Sequence, residues 1–572
     1  MEPVHIEDPV VLAARNTFHI SYLYPWQRLV IANILDALAA GEHARSCSRP
    51  GNISPDAEEE LFDEDGCLRG RQIILLPTGA GKSLCFQIPA LFAAGPTLVI
   101  YPLLALMGDQ KRRMDEGGLE PALFRGEQSA EEREAQYRRL EGRDGKPPAR
   151  LVIANPEVLA GEKVLSRIAA MKPAHIAIDE AHCVSEWGDT FRPSYLELGR
   201  IIDRLGAPAV SAFTATASPP VLERIAEVLF GGRAHLVRGE ADRPNIRYEA
   251  VSCRMKEAAL ARTVHRSARP LVVFCATRGG TERTARLLRS VLGDQDIRFY
   301  HAGLQKEEKI EVEAWFHGHD RAVLCTTCAW GMGVDKKNVR TVIHRDPPPT
   351  AEAYIQEAGR GGRDGGQARA VLLWSPSDSA RIRRMKDGAA KERAKVLEKA
   401  ASGAECRRLV LLKALGDPRA GGDGKGGETL ACSGCDVCGG TAAPPGKESE
   451  DGQIVLDFIR KNGKAYSAAE AAGMLENEAN RASRLKDGIE YWARGYFISA
   501  LTEFEKEGTL TTYRYWPWKD RIGAVNPRPR RLLLRRPHRN FFSCLLSSFR
   551  RRPSQDEDGE VFSGSGRSSS RC

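Results

Sequence analysis

The sequence predicts an α/β fold in which two doubly wound parallel sheets are followed by smaller helical modules. The 572 residues contain two successive series in which short apolar segments alternate with helical segments, and glycine-rich or polar loops follow several of the strands. Continuous apolar runs are typical of parallel strands that are buried on both faces. In the first half, such strands are predicted at 71–76 and 175–178. In the second half, they are predicted at 271–276, 297–301, 322–326, 341–344 and 370–374.

A glycine-containing loop follows the first of these strands. It runs from Pro77 to Ser83 (PTGAGKS), and a helix is predicted to begin at about Lys82. Glycine permits backbone dihedral angles that a side chain disfavours, so successive amides of the loop can point at bound phosphate. Lys82 is expected to reach the β- and γ-phosphates of ATP, and Ser83 its Mg²⁺. The remaining residues of this phosphate cradle are Thr78, Gly79, Ala80 and Gly81.

Two adjacent acids leave the carboxyl end of the strand 175–178. In open α/β sheets ligands bind at this end of the strands, and adjacent carboxylates there are costly unless they have a role. Asp179 is expected to bind Mg²⁺, and Glu180 to orient and deprotonate an attacking water. Because Leu76 stands where the strict phosphate-loop pattern has its first glycine, the loop alone leaves an ordinary turn open. The acidic pair makes a magnesium–nucleotide site the favoured interpretation.

The residues around the acidic pair resemble a known family. The segment 179–188 (DEAHCVSEWG), with Phe191-Arg192-Pro193 after it, is similar to the DEAH box and the aromatic-rich loop of RecQ helicases, members of helicase superfamily 2. Further segments resemble the motifs I, Ia, III, V and VI of that family in the same order. These segments are 77–89 (PTGAGKSLCFQIP), 101–110 (YPLLALMGDQ), 213–217 (FTATA), 324–340 and 356–365 (QEAGRGGRDG).

The resemblance implies an ATP-dependent DNA helicase with two RecA-like domains, which moves 3′ to 5′ on single-stranded DNA and unwinds forked DNA in recombination and repair. In the second domain, either Arg360 or Arg363 could meet the γ-phosphate when the domains close. A translocase that does not unwind and an RNA remodeller share the motor motifs and remain alternatives. A scaffold without catalysis is disfavoured because all the expected catalytic residues are present. These are Lys82, Asp179, Glu180, Gln356, Arg360 and Arg363.

The aromatic-rich loop is the best candidate for DNA contact. Trp187, Phe191 and Arg192 follow the acidic pair, and aromatic faces stack on bases without sequence preference while arginine stacks or holds phosphate. Packing of the two aromatic side chains in the core is the alternative. The loop departs from the family at Asp189 and Thr190, where His-Asp or a similar pair is usual. This departure adds a carboxylate near the expected DNA path.

A second departure lies in the segment that resembles the adenine-binding motif of the family. The family has Phe-Arg-Pro-Gly-Gln there, and this chain has Leu23-Tyr24-Pro25-Trp26-Gln27. Gln27 can still donate to and accept from the edge of adenine. Because the stacking arginine is absent, Tyr24 is expected to stack on adenine instead. An unchanged ATP affinity of a Tyr24→Ala variant would contradict this expectation.

Four cysteines predict a zinc site. Cys432, Cys435 and Cys438 form C-x-x-C-x-x-C, and Cys406 lies upstream on a predicted helix (CRRLVLLKAL), a pattern that resembles the zinc-binding domain of the family. Four thiolates suit tetrahedral Zn²⁺ and leave no position open for substrate, so a structural role is expected. An iron–sulfur cluster is the alternative, although no C-x-x-x-C-P follows. Another C-x-x-C pair, at 325 and 328, is expected to consist of reduced core cysteines.

The motifs and the composition shifts between them predict five regions. A winged helix would consist of helices at 453–461, 468–475 and 485–506 and a hairpin at 510–518. The aromatic residues of that hairpin, Tyr513, Tyr515 and Trp516, could separate DNA strands or pack against the third helix. The predicted regions are a first RecA-like domain (1–240, with a solvated insertion at about 41–70), a second (241–380), a zinc-binding subdomain (381–442), the winged helix (450–522) and a disordered basic tail (523–572).

Composition says little about the binding partners of the chain outside its C-terminal tail. The net charge is +9, but residues 527–552 contain nine arginines and no acid, so the remainder is near neutral. DNA binding therefore has to rest on particular loops. The sequence contains no leading apolar segment and no apolar run of about 18 residues, so neither secretion nor a membrane partner is expected. A monomer is expected, either cytoplasmic at a bacterial nucleoid or nuclear in a eukaryote.

Overall fold

The first sheet has seven parallel strands. The computed structural model describes residues 8–47, 70–76, 81–126, 128–187, 193–239, 242–328, 336–420 and 431–525. The strands of the first sheet are β1 (Arg71–Leu75), β2 (Thr97–Ile100), β3 (Ala122–Phe124), β4 (Leu151–Ala154), β5 (His175–Ile178), β6 (Ala209–Thr214) and β7 (His235–Arg238). Their spatial order is β3-β4-β2-β5-β6-β1-β7. Alternate residues of β1 belong to different apolar clusters, so both faces of the sheet are covered.

The second sheet has six parallel strands. They are β8 (Ile246–Ser252), β9 (Leu271–Phe274), β10 (Ile297–Tyr300), β11 (Val323–Thr326), β12 (Thr341–His344) and β13 (Ala368–Trp374). Their spatial order is β10-β11-β9-β12-β13-β8. All five strands predicted in this half are present, and β8 was not predicted. The α/β class with two parallel sheets is confirmed.

Helices connect the strands and cover the sheets. In the described part of the chain they are α1 (Pro9–Phe18), α2 (Pro25–Cys47), α3 (Lys82–Gln87), α4 (Leu104–Glu116), α5 (Ala130–Glu141), α6 (Pro156–Leu159), α7 (Glu162–Ala170), α8 (Cys183–Trp187), α9 (Leu198–Leu205), α10 (Pro219–Phe230), α11 (Lys256–His265), α12 (Arg278–Leu292), α13 (Lys306–Gly318), α14 (Ala351–Ala358), α15 (Pro376–Arg384), α16 (Gly388–Ser402), α17 (Arg407–Ala414), α18 (Glu450–Lys461), α19 (Ala468–Asp487) and α20 (Arg494–Lys506). Among these helices, none has the length together with the apolar character that crossing a bilayer requires.

The expected insertion between α2 and β1 begins later than predicted. Residues 41–47 continue α2 to Cys47. Gly41 is buried in this helix, and a Cβ at this position would lie 2.4 Å from the Cβ of Pro208. The glycine therefore allows a close approach of helix and loop, and it does not mark the start of a solvated segment. Residues 48–69 lie outside the described part of the chain.

The last described residues form three helices and an antiparallel hairpin, β14 (Leu510–Thr512) and β15 (Ile522–Ala524). The prediction for the second and third helices was wrong. α19 continues to Asp487, where Gly488 ends it with φ +75°, and α20 begins only at Arg494. The error arose because much of the buried stripe of α19 consists of small residues, which a search for large apolar side chains misses. The winged-helix assignment and the five domain limits stay predictions.

The two aromatic side chains at the hairpin tip are exposed. Tyr515 and Trp516 are 82% and 88% exposed, so neither packs against the third helix as the alternative required. Tyr513 is half-buried, and the Lys464 ammonium lies 4.6 Å from the centre of its ring. The predicted basic tail beyond residue 525 lies outside the described residues.

Candidate active site

The acidic pair lies at the carboxyl edge of the first sheet. β6 separates β5, which precedes the acids, from β1, which leads into the phosphate loop. The N–H of Asp179 donates to the carbonyl of Ile100 at 2.9 Å, and the N–H of Ala181 donates to the carbonyl of Phe213 at 2.8 Å. Neighbouring strands thus hold the turn that carries both acids. The carboxyl ends of these parallel strands meet at one edge, as predicted.

The backbone of Glu180 adopts φ +51°, a left-handed conformation that is uncommon for residues with a side chain. Its Oε2 atom lies 3.4 Å from Nδ1 of His182, and that nitrogen also lies 3.1 Å from Oγ1 of Thr214. The hydroxyl of Thr214 donates to the carbonyl of Thr216 at 3.1 Å. Because the hydroxyl proton is used there, Nδ1 of His182 must donate to Thr214. This network connects the acidic pair to the segment 213–217.

The pKa values of the two acids are shifted in opposite directions. Burial, and then the carboxylate of Glu180, raise the pKa of Asp179 to about 6, against the opposing effect of Lys82. Burial also acts to raise the pKa of Glu180. Three basic groups outweigh this effect and hold that pKa below its usual value, namely Lys82, His182 and Arg360. Neighbouring carboxyl groups with separated pKa values are typical of catalytic pairs, and Glu180 is the stronger acid of the two.

The phosphate loop is described from Gly81 onward. Gly81 caps α3 with φ +71°, and a Cβ there would lie 2.5 Å from Nε2 of Gln27. A side chain at this position would therefore strain the backbone and displace Gln27. Lys82 and Ser83 are half-buried in the first turn of α3. Thr78, Gly79 and Ala80 lie outside the described residues.

Gln27 joins the expected adenine segment to the phosphate loop. It is 2% exposed, its Oε1 accepts from the N–H of Tyr24 at 2.9 Å, and its Nε2 donates to the carbonyl of Gly81 at 3.4 Å. The ring of Tyr24 stacks on that of Trp26, with centroids 4.7 Å apart and planes 5° from parallel. Tyr24 is still 47% exposed, so an aromatic pair stands beside the loop where the family has arginine and glycine. Stacking of adenine on Tyr24 stays a prediction.

The second sheet brings an arginine to the acidic pair. Gln356 is half-buried in the last turn of α14, and a turn after this helix carries Arg360, which is buried, and Arg363, which is half-buried. Arg360 lies close enough to Glu180 to lower its pKa. The two sheets therefore contribute catalytic candidates to one site, although Glu180 and Arg360 are far apart in sequence.

Two residues that sequence reasoning missed hold this arginine turn. Nδ2 of Asn245 donates to the carbonyls of Gly362 and Gly366, both at 2.8 Å. The guanidinium of Arg243 donates to three carbonyls in the turn 359–362, at 2.9 to 3.3 Å. Both side chains immediately precede β8, which was not predicted. Polar residues just before a strand were the only available signal, because their partners lie more than a hundred residues away.

The four predicted cysteines meet at one point beside the second sheet. Their sulfur atoms all lie within 4.8 Å of one another, and they belong to Cys406, Cys432, Cys435 and Cys438. Burial acts to raise the pKa of Cys435, but hydrogen bonds from backbone amides outweigh it and lower the pKa to about 7. Asp436 pairs with Arg407 at 2.9 Å and accepts from the N–H of Ala250 at 3.1 Å. Asp436 therefore joins the cysteine cluster both to α17, through Arg407, and to β8, through Ala250.

The other C-x-x-C pair is divided by the end of a strand. Cys325 is buried in β11, as expected. Cys328 is exposed because the chain has left the sheet after Thr326, so the prediction that it is a core residue was wrong.

Two segments of the chain match helicase families. Residues 64–225 match the family described as DEAD/DEAH box helicase, and residues 255–365 match the helicase conserved C-terminal domain. Over 437 residues the chain is 33% identical to "ATP-dependent DNA helicase RecQ" of Haemophilus influenzae, which covers 74% of this chain and 67% of that protein. The chain belongs to the RecQ family. The two matched segments contain the phosphate loop, the acidic pair and the arginine motif from which a helicase was predicted.

A second RecQ relative agrees with this assignment, and one solved structure is similar in fold. The RecQ helicase of Pasteurella multocida is 33% identical over 444 residues, or 75% of this chain and 66% of that protein. The chain spans about two thirds of the length of these relatives. The DEAD-box helicase Mss116, solved with single-stranded RNA and UDP-BeF, superposes with a TM-score of 0.51 over 87% of this chain and 89% of that chain. At 15% identity this likeness concerns the fold alone.

The aromatic-rich loop of this RecQ chain is described only at its start. Trp187 ends α8, and its side chain lies outside the description, as do Phe191 and Arg192. The DNA contacts expected of these three residues stay predictions.

Proposed function

We propose that this RecQ-family chain hydrolyses Mg-ATP between its two sheets, moves 3′ to 5′ along single-stranded DNA and unwinds forked DNA. The observation that carries the proposal is that the buried Arg360 of the second sheet lies within electrostatic reach of Glu180 on the first sheet. A site whose water-activating acid and arginine come from different domains is complete only when the domains are closed. Hydrolysis is then tied to domain movement, which is what a motor requires.

The residues present fit a magnesium–nucleotide. Oε2 of Glu180 is buried and makes no hydrogen bond within the described ranges, so this oxygen could accept a hydrogen bond from the attacking water. Gly81 lets Gln27, which is expected to bind adenine, approach the phosphate loop, since a Cβ at position 81 would lie 2.5 Å from Nε2 of Gln27. Lys82 would contact the phosphates, and Ser83 and Asp179 would hold Mg²⁺. The bound ion would neutralise charge on the phosphoryl oxygens.

The side chains divide the work of hydrolysis between the two sheets. Glu180 would accept a proton from the water that attacks the γ-phosphorus, while the bond from that phosphorus to the oxygen it shares with the β-phosphate breaks. Lys82 and Arg360, with Arg363, would offset the charge that develops on the leaving and transferred groups. His182 would relay the state of Glu180 to the segment 213–217 through Thr214. At the fork, the exposed Tyr515 and Trp516 would separate the strands by stacking on the end of the duplex.

The proposed function is tested by ATP hydrolysis with and without DNA. Single-stranded DNA is expected to stimulate hydrolysis, and a Lys82→Ala variant is expected to lose both the basal and the stimulated rates because it no longer contacts the phosphates. A forked duplex with a 3′ single-stranded arm should be unwound, and one with only a 5′ arm should not. These rates are measured by phosphate release and by separation of fluorescent strands.

Other outcomes of the same assays would contradict parts of the proposal. Stimulation by RNA alone would identify an RNA remodeller. DNA-stimulated hydrolysis without strand separation would identify a translocase. A low rate that neither DNA nor Lys82→Ala changes would identify a protein that binds nucleotide without using it.

Four close thiols are a donor set for zinc, and we infer that they bind one structural Zn²⁺ per chain. A Cys435→Ser variant is expected to lose the metal and at least about 5 °C in thermal unfolding temperature, because metal binding contributes to folding. Elemental analysis and thermal unfolding measure both effects. Cys328→Ser, which removes an exposed thiol outside the cluster, is the control and should keep the metal. Iron with visible absorption would contradict zinc, as would full zinc content in Cys435→Ser.

A further inference from the structure

The last three helices and the hairpin share a core with the second sheet. We call α18, α19, α20, β14 and β15 together the C-terminal unit. One apolar cluster contains Leu271 and Val273 of β9, Val264 of α11, and Val455 and Phe497 of the C-terminal unit. α11 is part of this cluster, between residues of the second sheet and residues of the C-terminal unit. The C-terminal unit is therefore packed on the second sheet by burial of apolar surface.

Arg254, just before α11, pairs with carboxylates that belong to the C-terminal unit or lie next to it in the chain. Its side chain is only 5% exposed. It makes paired hydrogen bonds to Glu448 at 2.7 and 2.8 Å and to Glu507 at 2.9 Å, and it lies 3.8 Å from Glu503. The guanidinium also lies 3.9 Å from the ring centre of Phe504. Paired guanidinium–carboxylate bonds fix direction as well as distance, so this contact restrains orientation.

Further polar contacts join α11 to the same unit. Oδ2 of Asp451 accepts the backbone N–H groups of Arg254 and Met255, at 2.9 and 2.7 Å, at the start of α11. Arg262 pairs with Glu450 at 2.8 Å, and Arg266 with Asp487. The contacts extend along the whole helix, so a rotation of the C-terminal unit would break several of them at once.

We infer that the C-terminal unit is carried by the second sheet as one body, and that Arg254 is the positioning residue that fixes the hairpin tip relative to the arginine turn. Closure of the sheets on nucleotide then moves Tyr515 and Trp516 against the DNA fork. The expected effect on the DNA fork rests on the proposed helicase function. The docking itself rests on the shared apolar cluster and on the contacts of α11 and Arg254.

Loss of Arg254 would leave a cluster of acids at the contact. Burial and Glu507 act to raise the pKa of Glu503, and Arg254 opposes them. Without the guanidinium, three carboxylates would face one another with Lys506 as the remaining cation that acts on Glu503, and like charges at short range repel. An Arg254→Ala variant should therefore loosen the orientation of the C-terminal unit, although the apolar cluster still holds this unit on the second sheet.

The test compares hydrolysis with unwinding in the full chain. In Arg254→Ala, hydrolysis stimulated by single-stranded DNA should stay within about twofold of the wild type, while unwinding of a 3′-armed fork should fall by at least about tenfold. Arg254→Lys keeps the charge and loses the paired geometry, so its rate of unwinding should lie between those of the wild type and Arg254→Ala. Arg298→Ala, which removes an arginine paired with the exposed Glu311, is the matched control and should resemble the wild type.

Hydrogen exchange tests the docking without any reference to unwinding. In the wild type the amides of Arg254 and Met255 should exchange slowly because Asp451 accepts both, and in Arg254→Ala these amides and those of α18 should exchange faster. Wild-type rates of unwinding in Arg254→Ala would overturn the inference, as would fast exchange of these amides in the wild type. If Arg254→Ala does not fold, Glu507→Gln is used in its place. Unwinding by this variant should also fall, but by less than in Arg254→Ala. Unchanged unwinding would overturn the inference. A wild type that lacks unwinding yet shows the slow exchange would contradict the proposed function and leave the docking intact.

Discussion

A Glu180→Gln variant is expected to bind Mg-ATP and to hydrolyse it about 10³-fold more slowly than the wild type. Glutamine keeps the shape of the side chain but cannot accept the proton of the attacking water. Burial acts to raise the pKa of Glu180, but the three basic groups around it hold the pKa below its usual value, so the carboxylate is ionised at neutral pH and can accept a proton. Hydrolysis is measured by phosphate release, and binding by the fluorescence of a labelled ATP analogue.

Glu162→Gln is the matched control for this change. Glu162 lies on the same domain in α7, and it is paired with Arg204 on the surface. The same chemical change there should leave hydrolysis at the wild-type rate. A wild-type rate in Glu180→Gln would show that another group activates the water, and an equal loss of ATP binding would show that Glu180 acts mainly in binding.

An Arg360→Ala variant is expected to lose roughly 10³- to 10⁵-fold in kcat for ATP hydrolysis, the range for an arginine that stabilises phosphoryl transfer. Arg360 is 4% exposed and lies near Glu180, although it belongs to the second sheet. The KM for ATP should change much less, since the phosphate loop on the first sheet is intact. Steady-state kinetics with saturating single-stranded DNA separate the two constants.

Two further arginines make this result specific. Arg340 forms a partly exposed ion pair with Asp364 of the same turn, so Arg340→Ala perturbs the turn without removing a group from the site. It should lose far less activity than Arg360→Ala. Arg363→Ala measures the other candidate of the motif. A larger loss there than in Arg360→Ala would assign the γ-phosphate contact to Arg363, and small losses in both would contradict a site shared between the sheets.

Much of the fold could be predicted because parallel strands are marked by local sequence. The buried runs 71–76 and 175–178 correspond to β1 and β5, with at most one residue of difference at their ends. β8 was missed because one face of it is only partly buried, so its sequence alternates and lacks a continuous apolar run. α19 was cut short for a related reason, because small residues make up much of its buried stripe.

The candidate site was predicted residue by residue, but its supports were not. The motifs marked Lys82, the acidic pair and the arginines of the second domain. They gave no sign that Asn245 and Arg243 hold the arginine turn, because those bonds go to backbone carbonyls, which have no sequence signature. The carboxylates around Arg254 were missed for a similar reason, since Glu448 and Glu507 lie far from it in sequence and resemble ordinary surface acids.

The sequence by itself determined the two-sheet class, the phosphate loop, the acidic pair, the arginine motif and the four cysteines, because each depends on residue types at short spacing. The tertiary structure alone decided which groups from different segments meet. It brought Arg360 within electrostatic reach of Glu180, linked Gln27 to Gly81, and packed the C-terminal unit on the second sheet through α11. The physical reason is that strand order and helix packing bring distant segments together, and the resulting ion pairs and hydrogen bonds depend on distance in space rather than on position in the chain.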